Sequence, residues 1–84
     1  MTDNEILGAL SAIFRHVLDD PSIALTPSTT ADDVPGWDSM TQITLAVEIE
    51  HALGVKFKTS EMEEMRNIGD LVGLVRTHLA AVAG

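Results

Sequence analysis

Apolar residues recur at three- and four-residue steps in three separate stretches of this chain, the pattern of helices that each bury one face. In the first, Ile6, Leu7, Leu10, Ile13, Phe14, Val17 and Leu18 share a face, and Thr2 followed by Glu5 makes a capping box at the start. Asp19-Asp20-Pro21 ends it, since proline cannot continue the hydrogen-bond ladder. The second stretch runs from Asp38, a good N-cap, to about Leu53, with Gly54 as its stop. In the third, Asn67 with Asp70 caps a face of Ile68, Leu71, Val72, Val75, Leu79 and Val82. Before it, Val55, Lys56 and Phe57 read as extended, and Ser60 with Glu63 forms another capping box opening a short helical turn through Met65.

The stretch from Asp19 to Trp37 has no sustained period and holds Pro21, Pro27, Pro35 and Gly36. A structureless loop of that length in a small domain is normally a functional one. Ile23, Leu25 and Val34 are the residues able to pin it to the core. The prediction is an all-α bundle of three main helices, one short helix and a long first loop, in a single domain spanning residues 1–84. With 84 residues, such a domain buries only about 60–65% of the surface its unfolded chain exposes. Only two Phe, one Trp and no Tyr are present, so the core is built from Leu, Ile, Val and Met.

Five basic against thirteen acidic residues give a formal charge of −8, which argues against nucleic acid and suits partners with basic patches. No apolar run is long enough to span a membrane. The N-terminus lacks the basic and apolar regions of a secretion signal, so the expected location is cytoplasmic. The absence of cysteine rules out a disulfide and any thiol from the chain itself. No His/Asp/Glu spacing marks a metal site, and Asp32-Asp33 fails the calcium-loop pattern. The acidic Glu61, Glu63 and Glu64 read as a solvated face.

At about 100° per residue, Leu45, Ile49, Ala52 and Leu53 form the core stripe of the second helix, with Ala46 at its edge. Met40, Ile43 and Val47 cluster on a different side. Either the bundle and the long loop bury both stripes, or the second is an exposed docking patch. Glu48 and Glu50 lie toward the edges of that patch, placed to pair with a partner's Arg or Lys. Such surface pairs steer and select more than they add affinity.

Ser39 follows the Pro35-Gly36 turn and sits in the first turn of the second helix, where free N–H groups and the helix dipole favour a phosphate. Asp38 is placed to cap the helix and orient the serine. A catalytic role for Ser39 is disfavoured, because the Gly-x-Ser-x-Gly elbow is absent and His16, His51 and His78 fall on separate segments.

Gly36-Trp37-Asp38-Ser39-Met40, then Leu45, Glu48, Ile49 and Glu50, then Leu53-Gly54-Val55 and Phe57, then Ile68-Gly69-Asp70-Leu71 resemble the acyl carrier protein family in order and spacing. The resemblance covers nearly the whole chain. It implies a non-catalytic carrier bearing a 4'-phosphopantetheine arm on Ser39, attached by a phosphopantetheinyl transferase from coenzyme A with magnesium near Asp38. The arm's thiol holds an acyl group as a thioester for ligases, synthases or transferases of lipid, fatty acid, polyketide or related biosynthesis. Those partners would recognise the second helix through Met40, Ile43, Val47, Glu48 and Glu50, the carrier itself being a monomer. If the core also admits an acyl chain, as in some carriers, Ile49, Leu53, Phe57, Ile68, Leu71 and Val72 are the candidate lining.

Several positions depart from the family pattern. Met40 replaces the usual leucine, a volume-conserving swap. Trp37 stands where fatty-acid-synthase carriers have a small residue, while Thr41, Thr44 and His51 occupy positions often acidic there. The Ala31–Pro35 segment lacks the familiar phenylalanine. This resembles a stand-alone carrier of a specialised pathway. The rivals are a peptidyl or aminoacyl carrier, and a helical interaction module whose serine stays unmodified.

Overall fold

The computed structural model describes residues 1–83, and side chains as far as residue 81. Four α-helices follow in order: α1 (Asp3–Val17), α2 (Ser39–Leu53), α3 (Thr59–Glu64) and α4 (Ile68–Ala83). No strand occurs among the described residues. Helix α1 packs against both α2 and α4. Its Ile6, Leu10 and Phe14 are completely buried and meet Leu45 and Ile49 of α2 and Ile68, Leu71, Val72 and Val75 of α4 in one apolar core. Leu79 packs partly against that core, and Val82 lies outside the described side chains.

The start of α1 is as its sequence indicates. Thr2 Oγ1 accepts the Glu5 N–H at 3.1 Å, and Glu5 Oε1 accepts the Thr2 N–H at 2.8 Å. Its end differs in cause. Asp19 adopts a left-handed conformation with φ 50°, and the Asp20 and Asp19 N–H groups reach back to the carbonyls of Arg15 and His16. That pair of bonds is a Schellman closure, which here does without the usual glycine. The helix has therefore stopped before Pro21 is reached.

The long connection to α2 is ordered by three kinds of anchor. Ile23, Leu25 and Val34 are buried as expected, and Ala31–Asp33 forms one turn of 3-10 helix. Arg15 Nε donates to the Ile23 carbonyl at 2.7 Å. The Ile68 and Gly69 N–H groups donate to the Thr29 and Pro27 carbonyls, both at 2.8 Å. A helix leaves its first N–H groups without internal partners, and here the loop supplies them for α4. Asn67 Oδ1 completes that cap by accepting the Asp70 N–H at 2.8 Å.

Gly54 ends α2 in the left-handed region at φ 67°, the conformation glycine adopts most cheaply. After it, Val55 is buried and Phe57 half-buried. Helix α3 starts earlier than Ser60. Its N-cap position is Lys58, whose N–H donates to Glu61 Oε1 at 2.8 Å, whereas Glu63 is exposed and takes no part. The ammonium of Lys58 has no acceptor to return, so the glutamate three residues on carries this cap alone.

Candidate functional site

The first turn of α2 is held by Asp38. Its Oδ1 accepts the N–H groups of Met40 at 3.0 Å and Thr41 at 2.9 Å. Thr41 Oγ1 answers by accepting the Asp38 N–H at 2.7 Å and reaching the Gly36 carbonyl at 2.9 Å. The Thr41 hydrogen bonds, backbone first, hold the Asp38 carboxyl below the usual carboxylate range. Ser39 is the first helical residue, exposed, and its Oγ takes no part in this capping set.

This alters the expected electrostatics. Free N–H groups were to attract a phosphate at this helix start, yet Asp38 already occupies two of them. What the structure offers at Ser39 is a hydroxyl on a rigid helical turn, with the cap delegated to its neighbour. That arrangement fits a covalently attached phosphodiester, which needs an accessible oxygen rather than a preformed anion pocket.

Beside Ser39 runs an open groove of about 680 Å³ between α2 and α3. Ser39, Gln42 and Ala46 border it on one side, and Phe57, Lys58 and Met62 on the other. Of the residues proposed to line an acyl site, only Phe57 borders this groove. Ile49, Ile68, Leu71 and Val72 are buried in the core behind it, and Leu53 packs partly against that core.

Sequence reasoning noted Trp37 only as part of the motif and a departure from the family pattern, and gave Gln42 no role. Trp37 is buried, its ring edge-on to Phe14 at 5.1 Å. Its Nε1 donates to Gln42 Oε1 at 2.7 Å, and Gln42 Nε2 donates to the Met62 carbonyl at 2.9 Å. One tryptophan in a chain this poor in aromatics was the available signal. Gln42, an ordinary helix residue by type, gave none.

The second apolar stripe of α2 is uncovered. Met40 is 79% exposed, Ile43 68% and Val47 43%, so the arrangement that buries both stripes does not occur. The core stripe is also narrower than its spacing suggests: Leu45 and Ile49 are buried, Leu53 and Ala46 half-buried, and Ala52 exposed. Glu48 is exposed beside the patch. Glu50 is half-buried, and its Oε2 accepts the Phe57 N–H at 2.8 Å, tying α2 to the segment before α3.

His78 Nε2 lies 3.1 Å from both carboxylate oxygens of Glu61, and its ring stands edge-on to Phe57 at 5.6 Å. Glu61 is thus part of a pair rather than of a solvated face. The Lys58 N–H and then His78 lower its pKa. Among the described residues, no three His, Cys, Asp or Glu side chains are grouped to hold a metal.

The family model described as the phosphopantetheine attachment site matches residues 8–75. "Acyl carrier protein 2" of Ralstonia nicotianae is 30% identical over 81 residues, covering 96% of this chain and all of that protein. The meromycolate extension acyl carrier protein of Mycolicibacterium smegmatis is 28% identical over 89% of this chain and 76% of its own length. The solution structure of a holo acyl carrier protein from Geobacter metallireducens superposes with a TM-score of 0.87 at 42% identity, covering 93% of this chain and 90% of that one.

These matches define a carrier fold with a prosthetic attachment site. The chain belongs to the acyl carrier protein family, with 4'-phosphopantetheine as its covalently bound group. Proteins of this kind carry rather than catalyse, and interact with a phosphopantetheinyl transferase and with biosynthetic enzymes. No described helix is long and apolar enough to cross a membrane.

Proposed function

We propose that Ser39 receives the arm, and that residues 1–84 act as one monomeric, cytoplasmic carrier unit modified by a phosphopantetheinyl transferase. The observation that carries this reading is the exposed Ser39 at the start of a helix whose cap is made by Asp38 instead. Bound there, 4'-phosphopantetheine supplies the thiol that a cysteine-free chain lacks. Tethering then raises the effective concentration of the cargo at each partner. Asp38 holds the turn, while Met40, Ile43 and Val47 offer apolar contact to partner enzymes, with Glu48 and the unbonded oxygen of Glu50 at the rim. The reduced acidity of α2 at Thr41, Thr44 and His51 favours a specialised pathway over a fatty acid synthase.

Intact mass after incubation with coenzyme A, magnesium and a broad-specificity transferase tests the assignment. Wild type is expected to gain one phosphopantetheine and Ser39→Ala none. An unmodified wild type would overturn the carrier reading for this chain, and a modified Ser39→Ala would move the site elsewhere. Loading by an amino-acid-activating enzyme, in preference to acyl ligases, would replace the acyl cargo with an aminoacyl one.

A further inference from the structure

We propose that Gln42 is a gate on the groove beside Ser39. It keeps saturated acyl chains from passing between α2 and α3, and leaves the groove open to cargo that carries its own hydrogen-bonding group. The proposal rests on Ser39 as the attachment residue.

Gln42 lies three residues after Ser39, on the same side of α2, and both border the groove. Its amide spans the gap between two partners of opposite kind. An indole N–H can only donate and a carbonyl can only accept, so Trp37 and Met62 together permit one amide orientation. Both partner residues are buried and Gln42 is half-buried, which puts these bonds where water replaces them poorly.

The far wall depends on this bond. Helix α3 has six residues and one buried side chain, Met62. A helix so short does not persist by itself and needs tertiary ties. Gln42 holds the backbone of Met62, whose side chain is the segment's apolar anchor. A methylene chain sliding beneath α3 must part Gln42 from the Met62 carbonyl and offers nothing in exchange. The amide and carbonyl would then be left unpaired in an apolar setting, which is the costly outcome for a polar group. A hydroxyl, keto or amide group on the cargo can take over one of the lost bonds. Gln42 is therefore a specificity-determining residue, favouring cargo that carries a hydrogen-bonding group over a saturated chain in the groove.

The test loads Ser39 with pantetheine analogues bearing butanoyl, dodecanoyl or β-hydroxydodecanoyl chains, with intact mass confirming each product. In wild type, the thermal midpoint is expected to be equal for the two saturated chains, with Phe57 and Met62 amide signals unmoved. The hydroxylated chain should shift those signals. Gln42→Leu should gain about 4 °C or more with dodecanoyl and shift the same signals. Gln42→Glu, which keeps the acceptor for Trp37 but loses the donor to Met62, should respond to dodecanoyl in the same direction. A wild type whose midpoint rises by about 4 °C or more from the butanoyl to the dodecanoyl form would overturn the gate, and that comparison uses wild type alone, so it stands even if the leucine variant fails to fold. A wild type that takes up no arm would remove the attachment reading, and the gate with it.

Discussion

Asp38 and Ser39 divide two tasks that one side chain at a helix start often combines. The carboxylate satisfies the Met40 and Thr41 N–H groups, so the hydroxyl beside it is released from capping. Asp38→Ala should therefore lower the thermal midpoint by several degrees, while Asp38→Asn, another strong N-cap, retains most of it. Differential scanning fluorimetry of the three proteins checks this, and equal midpoints for Ala and Asn would contradict it. Gly69 is constrained differently. A Cβ there would lie 2.9 Å from the Pro27 carbonyl oxygen, a backbone atom held by the Gly69 N–H itself. Gly69→Ala must push the loop off α4 at a cost of about 1–3 kcal/mol. Gly8, within α1, has nothing within 4 Å of such a carbon, so Gly8→Ala should stabilise by up to about 1 kcal/mol. Urea denaturation of the pair reads opposite signs from the same chemical change.

Among the elements, α2 is the one that serves two masters, and its shallow burial follows from that. Two fully buried residues, Leu45 and Ile49, fasten it to the core, while Met40, Ile43 and Val47 stay in solvent. Replacing Ile43 with Ser should leave stability within about 0.5 kcal/mol and weaken transfer to a docking enzyme, seen as a raised KM with kcat little changed. A destabilised variant with unaltered transfer would show that the residue belongs to the fold instead. The helices themselves were legible because each carries a periodic apolar face and a side-chain cap within its own sequence: Thr2 with Glu5, Asp38, Asn67. What escaped reading rests on backbone conformation or on partners far along the chain. The end of α1 lies in the left-handed Asp19, a conformation the residue type permits but does not demand. The start of α3 reads as Ser60 with Glu63, whereas the cap is made by Glu61, which accepts the Lys58 N–H and also pairs with His78, seventeen residues away. The loop's role as a cap for α4 is carried by the Pro27 and Thr29 carbonyls, which no side-chain pattern announces. At the site, Ser39 and Asp38 were visible as a motif. The Trp37–Gln42–Met62 relay was not, because it joins a loop, α2 and a backbone oxygen on α3.

At the scale of the whole molecule, two electrostatic effects oppose each other as pH falls. The chain carries −8, and that self-repulsion works against the folded state until carboxylates begin to take up protons. Against this, five carboxylates have pKa values held below their ordinary range by hydrogen bonds: Glu5 through Thr2, Asp20 through Ser22, Asp38 through Thr41, Glu61 through Lys58 and Asp70 through Arg66. Four of them stand at or within a few residues of the start of each α-helix. A group whose folded pKa is lowered contributes stability that is present above its unfolded value and lost as pH falls through the folded one. The two effects act in different windows, so the thermal midpoint should rise on acidification from neutrality, peak near pH 5, and fall below about pH 4. Salt separates the contributions. At neutral pH, added sodium chloride should raise the midpoint by screening repulsion, whereas near the isoelectric point of about 4.5 there is little net charge to screen and salt should leave the midpoint almost unchanged. Thermal scans across pH at low and high salt measure both effects. A midpoint still climbing down to the isoelectric point of about 4.5, with no peak near pH 5, would mean that relief of repulsion outweighs the caps, and that the helix starts matter less to this fold than the packing of α1 against α2 and α4.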